Sequence, residues 1–232
     1  MNMVQGSSSR QTCLKATRTK GADMAGFKHV IFDVDGTLAD TDNISQRALQ
    51  DLLFEWTGEE EDLKDLAFTR GIPGDEALAQ LGILDEGALE RWDELAREHA
   101  DEVKLFYGVR EMLEELLKSG KKMGVVSSRR RDEYEAVISP LGIDGYFENM
   151  VLAEDTDRHK PEPDPLLEYL RRAGAKPEEA IYVGDTAHDS RAARAAGVSF
   201  VFAGWGAASY VEQASYWVHA PSEVLLIANY AL

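Results

Sequence analysis

The densest group of reactive side chains is Asp33-Val34-Asp35-Gly36-Thr37-Leu38, directly behind the apolar run His29-Val30-Ile31-Phe32. In an extended backbone residues two apart face the same way, so Asp33 and Asp35 can share one pocket while Gly36 lets the chain turn. Two such carboxylates suit a hard cation, and one can act as nucleophile while the other shuttles protons. An Asx-rich turn closing a buried strand accounts for the same letters. A second group, Val183-Gly184-Asp185-Thr186-Ala187-His188-Asp189, adds two carboxylates, with Gly184 permitting close backbone approach. Four carboxylates converging on one point repel one another unless a divalent cation sits among them, and an all-oxygen donor set favours magnesium over zinc. His188 stands open between a ligand and a turn or helix-cap residue, the second being preferred.

Donors for a phosphate are also present. Ser127 follows the apolar run Lys122–Val126, and Ser128 either adds a second hydroxyl or caps the next helix. Lys160, in His159-Lys160-Pro161-Glu162-Pro163, is a cation on a proline-stiffened loop. The run Arg129-Arg130-Arg131 reads as solvated surface in preference to a contact with an anionic substrate. Arg70, in Thr69-Arg70-Gly71-Ile72-Pro73-Gly74, either pairs with a neighbouring carboxylate or anchors a second anionic group of a substrate.

These residues need elements that bring them together. Short apolar runs at 29–32, 122–126, 150–153, 180–183 and 198–202 predict strands, with a short sixth at 216–218. Between them lie helical stripes: Val109, Met112, Leu113, Leu116 and Leu117; Tyr134, Val137, Ile138 and Leu141; Leu166, Leu167, Tyr169 and Leu170. Such alternation predicts an α/β fold with a parallel sheet covered on both faces. Open sheets of this kind bind ligands beyond the carboxyl ends of their strands, where the aspartates, Ser127, Ser128 and Lys160 would lie. Between Asp40 and Tyr107 no good strand is found. Helical stretches there are parted by glycines, and Leu49, Leu52, Leu53 and Trp56 share one face. Residues 42–105 therefore read as a small helical insert after the first strand. With 18 acidic residues against 6 basic ones, most of its surface repels anions.

Composition narrows the function class. A 232-residue chain, 44% apolar, can bury a sizeable core, and its net charge of −17 argues against nucleic acid and anionic membranes as partners. One cysteine, Cys13, rules out an intrachain disulfide framework. No apolar run reaches the roughly 20 residues of a membrane-spanning helix, so a cytoplasmic protein is expected. Residues 1–25 are basic and rich in serine and threonine, and read as a disordered leader, with Met24 an alternative start; an organellar transit peptide has a similar composition.

The chain resembles the haloacid dehalogenase-like hydrolases, in their phosphoglycolate phosphatase and β-phosphoglucomutase-like branch, over roughly 27–230. The resemblance rests on DVDGTLADT at 33–41, VVSS at 125–128, KPEPDP at 160–165 and VGDTAHD at 183–189, in that order, with AGVSFVFAGWG at 196–206 and YWVHAPSEV at 216–224 in support. It implies a Rossmann-like core (26–41 and 106–232) and a mobile helical cap (42–105). It also implies a magnesium-dependent phosphatase acting on a small phosphorylated metabolite through an aspartyl-phosphate. Asp33 would attack phosphorus, and Asp35 would protonate the leaving oxygen and then activate water. The Asp33 carboxylate, the Asp35 carbonyl and Asp185 would bind the metal with Asp189 in support, and Ser127 and Lys160 would hold the phosphoryl oxygens. Ser128 departs from the asparagine often found there. A dehalogenase would lack a second aspartate, and a sugar-phosphate mutase tends to carry a cap histidine where Ser45 stands. A phosphonate hydrolase needs a Schiff-base lysine, for which neither Lys64 nor Lys104 has the setting. A non-catalytic phosphate-binding protein would have lost one of Asp33, Asp35 and Asp185.

Overall fold

The computed structural model describes residues 26–69, 74–85 and 87–230; the leader at 1–25, with Cys13, lies outside them. In chain order the elements are β1 (His29–Phe32), β2 (Ala39–Asp40), α1 (Asp42–Thr57), α2 (Gly74–Gln80), α3 (Ala88–Glu98), β3 (Lys104–Leu105) and α4 (Val109–Lys118). There follow β4 (Lys122–Val126), α5 (Arg131–Val137), β5 (Asn149–Val151), α6 (Asp164–Ala173), β6 (Ala180–Gly184), α7 (Ala187–Ala196), β7 (Ser199–Ala203), β8 (Tyr216–Val218) and α8 (Pro221–Tyr230).

Six strands form one parallel sheet in the order β5-β4-β1-β6-β7-β8. The four inner strands, β4, β1, β6 and β7, bury both faces, so their side chains alternate between two cores. Val30 and Phe32 of β1, Met123 and Val125 of β4, and Ile181 and Val183 of β6 pack with α4, α5 and α8. Ile31, Val126 and Tyr182 face the other way, onto Leu166, Tyr169 and Leu170 of α6 and the alanines of α7. The α/β sheet expected from the alternation, including its short sixth strand, is thus present. The stripes are narrower than their letters suggest: Leu117 and Leu167 are exposed.

The chain turns back on itself at β1, which pairs with β4 on one side and β6 on the other. That change of direction opens a crevice beyond the carboxyl ends of the three central strands. The loops after β1, β4 and β6 carry Asp33, Ser127 and Asp185.

Helices α1, α2 and α3 have an apolar cluster of their own, built from Leu49, Leu52, Leu53, Leu78, Trp92 and Leu95 among others. Trp92 also donates its indole N–H to the Ser45 carbonyl at 2.8 Å, tying α3 to α1. Trp56 departs from the expected face. It is 45% exposed, because it sits in the last turn of α1, just before the left-handed Gly58 that stops the helix. The stretch also holds a strand that periodicity missed: β3 pairs antiparallel with β2, Ala39 opposite Leu105 and Asp40 opposite Lys104. This two-residue ladder joins the chain entering the helical insert to the chain leaving it.

Candidate active site

Backbone geometry sets the first carboxylates. Asp33 continues β1, its N–H donating to the Val183 carbonyl at 2.9 Å. The chain then loops tightly through Val34 and Gly36 back to Ala39. Gly36 has φ +71°, and a Cβ there would lie 2.3 Å from an Asp185 oxygen; the loop after β1 can approach the loop after β6 only without a side chain. Gly184 is constrained in the same way, since a Cβ would meet the Asp189 side chain at 2.7 Å.

The result is a buried cluster. Carboxylate oxygens of Asp33, Asp185 and Asp189 lie within 4.8 Å of one another. Lys160 reaches into it, donating to Asp33 Oδ1 at 2.7 Å and to Asp189 Oδ1 at 2.8 Å. The Tyr182 hydroxyl accepts from Lys160 at 3.1 Å and lies 3.0 Å from Asp189 Oδ1. Thr37 Oγ1 donates to Asp185 Oδ1 at 3.0 Å. Thr186 caps α7: its hydroxyl accepts from the Asp189 N–H, while its own N–H donates to Asp189 Oδ2 at 3.0 Å.

Charge follows from that packing. Burial pushes Asp33 up to about 7 despite the opposing pull of Lys160. Burial likewise raises Asp185, with Asp189 and Asp33 adding repulsion. For Asp189, burial is outweighed by Lys160 and Thr186, which hold it below the usual range. Burial disfavours the Lys160 ammonium, yet Asp189 and Asp33 raise its affinity for the proton well above normal. The packing thus favours the protonated forms of Asp33 and Asp185 and the charged forms of Asp189 and Lys160.

Such an arrangement fits a divalent cation. Magnesium takes oxygen ligands at about 2.0–2.1 Å, and the donors here are hard carboxylate oxygens close enough to converge on one ion. Asp33 and Asp185 are the better placed of the three. Both oxygens of Asp189 are already committed, to Lys160 and Tyr182 on one side and Thr186 on the other.

Asp35 is turned away from this group. Its carboxylate accepts from Thr41 Oγ1 at 2.6 Å and from both Nε and Nη2 of Arg129, at 2.9 and 2.6 Å. Burial would raise Asp35, but the guanidinium and Thr41 outweigh it and hold the carboxyl low. Reading the arginine run as solvated surface is therefore wrong for Arg129, whose side chain is 22% exposed. It folds back because the chain leaving β4 passes beside the loop after β1. Arg130 and Arg131 are half exposed, as expected, and pair with Asp132 and Glu133 and with Asp155 respectively.

A cavity of about 540 Å³ gathers Asp33, Asp35, Ser128, Lys160, Asp185 and His188. A second, of about 480 Å³, extends toward the helical insert between Ser45, Arg97, Val103, Arg129 and Val137. Asp35 and Ser128 line both. Ser127 is buried and lines neither, its Oγ accepting the Arg129 N–H at 3.2 Å. Ser128 is exposed and does not cap α5, which starts at Arg131 after Arg130. His188 is the second residue of α7, not its cap, and burial lowers its basicity. Arg70 lies outside the described residues. Thr37, Thr41, Arg129, Tyr182 and Thr186 were not marked by their spacing; only the hydroxyls beside each Asp pair hinted at them.

Known proteins share this arrangement of elements. A match to the family described as Haloacid dehalogenase-like hydrolase spans residues 30–203. Pyrophosphatase PpaX of Bacillus cereus is 30% identical, over 76% of this chain and 82% of its own. A crystal structure of a HAD-superfamily hydrolase, subfamily IA, from Geobacter sulfurreducens is 28% identical, with a TM-score of 0.71, over 88% of this chain and 97% of that one. One from Haemophilus somnus, described as a predicted phosphoglycolate phosphatase, superposes with a TM-score of 0.75 at 22% identity, over 88% of this chain and 99% of that one. At that identity it speaks for the fold alone.

Proposed function

Because the chain belongs to the haloacid dehalogenase-like hydrolases and is a phosphatase of that family, we propose that it hydrolyses a small phosphate ester or anhydride through a phosphoryl group carried on Asp33. The observation that carries this reading is the buried group of Asp33, Asp185 and Asp189 around Lys160 at the carboxyl edge of the sheet. Phosphoryl transfer asks chiefly for positioning and for neutralisation of spreading charge.

In this reading Asp33 attacks phosphorus. Lys160 anchors one of its oxygens, and the other makes no hydrogen bond among the described residues. Asp35 gives a proton to the leaving oxygen, then takes one from the water that opens the acyl phosphate. Lys160 and the Ser127–Ser128 loop hold the phosphoryl oxygens. Magnesium, bound by Asp33, the Asp35 carbonyl and Asp185 with Asp189 behind them, would supply the remaining neutralising charge. Residues 42–105 act as a cap over the core formed by 26–41 and 106–232. Support for that division comes from their separate apolar cluster and the two-residue ladder at the junction. The curated relative's name makes pyrophosphate one substrate to test.

The test is turnover of a panel containing an aryl phosphate, small organic phosphates and pyrophosphate, with magnesium and with excess chelator. Hydrolysis that vanishes in chelator and returns with magnesium is expected. Full activity in chelator would overturn the metal assignment, and no turnover of any member would overturn the hydrolase reading.

A further inference from the structure

We infer that Arg129 is the residue that reads a second anionic group on the substrate, and that Asp35 occupies its guanidinium only until such a group arrives. This rests on the hydrolase reading above, and it concerns the leaving-group side of that site.

Three observations carry it. The first is position. Asp35 and Ser128 line both the cavity around Asp33 and the one under the helical insert, so the two spaces meet there, and Arg129 borders the second. A phosphoryl group beside Asp33 would therefore extend its leaving group past Asp35 toward Arg129.

The second is geometry. Arg129 offers Asp35 its Nε and Nη2 edge, with contacts of 2.9, 3.0 and 2.6 Å, and Nη1 makes no hydrogen bond among the described residues. That edge is the planar fork which fits any carboxylate or phosphoryl group in two-point fashion. Both oxygens of Asp35 are engaged, Oδ1 by Thr41 as well. A residue expected to act on the leaving oxygen is thereby tied up. An incoming anion can exchange for it at the fork, so the guanidinium keeps a partner throughout and Asp35 is freed. A neutral leaving group offers no such exchange.

The third is charge. In a chain of net charge −17, the chamber under the insert also contains Asp93 and Glu133. Arg130 is already paired with Glu133 and Asp132, and Arg131 with Asp155, which lies outside the chamber. Arg97 lines the same chamber but is exposed on α3. Arg129 is the cation held at the junction of the two cavities.

The class implied is a phosphate whose leaving group bears a carboxylate or a further phosphoryl group. Calorimetry on the magnesium-loaded protein separates the possibilities, using non-hydrolysable probes: phosphonoacetate with two anionic ends, methylenediphosphonate with two phosphoryl ends, and methylphosphonate with one. Wild type is expected to bind at least one two-ended probe about tenfold or more tighter than methylphosphonate, equivalent to about 1.4 kcal/mol; which of the two wins names the second group. Arg129→Gln should bring the ratio within about threefold, Arg129→Lys should restore part of it, and Arg131→Gln, whose partner Asp155 lines neither cavity, should leave it unaltered. A wild type with no preference, or a preference that survives in both Arg129 variants, would overturn the assignment. Should Arg129→Gln fail to fold, as its melting curve would reveal, Arg129→Lys decides: the lysine keeps the charge and loses the fork, so an undiminished ratio overturns the proposal. A wild type that shows the ratio but turns over no phosphate would overturn the hydrolase reading and leave the recognition role standing.

Discussion

Two aspartates two residues apart do different work because their neighbours differ. Asp33 lies against a lysine and two other carboxylates in a buried cluster, whereas Asp35 is gripped by a guanidinium and a hydroxyl at the cavity junction. Substitutions should separate the two roles. Asp33→Asn keeps the shape and removes the nucleophile, so turnover is expected to fall to background with folding intact, and no phosphoenzyme should appear on acid quench. Asp35→Asn keeps the nucleophile, so an activated aryl phosphate should still transfer its phosphoryl group slowly, and the phosphoenzyme should accumulate because the base for its hydrolysis is gone. A phosphoenzyme formed by Asp33→Asn would assign the wrong nucleophile. Arg129, the partner of Asp35, shows where reading the sequence fails. Positions 129, 130 and 131 carry the same letter, and only the tertiary approach of the loop after β1, 94 residues earlier, distinguishes the one that folds inward. Tyr182 was hidden differently: its ring is an ordinary strand aromatic, and only its hydroxyl reaches the site.

Elements were legible where period and length were both sufficient. Five strands, the short sixth and helices α1, α4 and α6 could be read from apolar spacing, because each buries a face several residues long. The β2–β3 ladder could not, since two residues carry no period. Nor could the electrostatic clasp near it. His99, at the end of α3, places Nε2 2.7 Å from Asp51 of α1 and Nδ1 3.1 Å from Glu102, which also pairs with Arg47 of α1 at 2.7 Å. The hydrogen bond to Asp51 contributes most to raising His99 above its ordinary basicity, burial opposes it, and Glu102 adds to it. A raised folded value means that the native state holds the proton more tightly. The stabilisation is then complete below the unfolded value of about 6.5 and is lost as pH rises through the higher folded value. With the side chain 25% exposed, solvent keeps the effect small. His99→Gln should therefore lower the melting temperature most near pH 6, with a deficit that shrinks as the pH rises through the folded value. A deficit independent of pH would mean that the residue acts by packing alone.

At the scale of the whole molecule the fold concentrates what it can least tolerate at one place. The chain carries a net charge of −17, yet the carboxyl edge of its sheet buries Asp33, Asp185 and Asp189 together with one lysine to offset them. Binding sites commonly carry such a conflict, which the ligand relieves. A cation that binds the native state and not the unfolded chain adds about 2.7 kcal/mol at a hundredfold excess over its dissociation constant. For a chain of this size each kcal/mol moves the melting temperature by about 2–4 °C. Magnesium should accordingly raise it by roughly 5–10 °C, and calorimetric scans at several concentrations should trace that dependence. Asp185→Asn sharpens the expectation, because the amide oxygen can still accept from Thr37 while the buried charge is gone. Free of magnesium, the variant should melt no lower than wild type, since repulsion from Asp189 and Asp33 is removed. With magnesium, most of the wild-type increment should be missing. A variant that keeps the full increment would move the cation away from Asp185. A wild type indifferent to magnesium would mean that Lys160 alone balances these carboxylates.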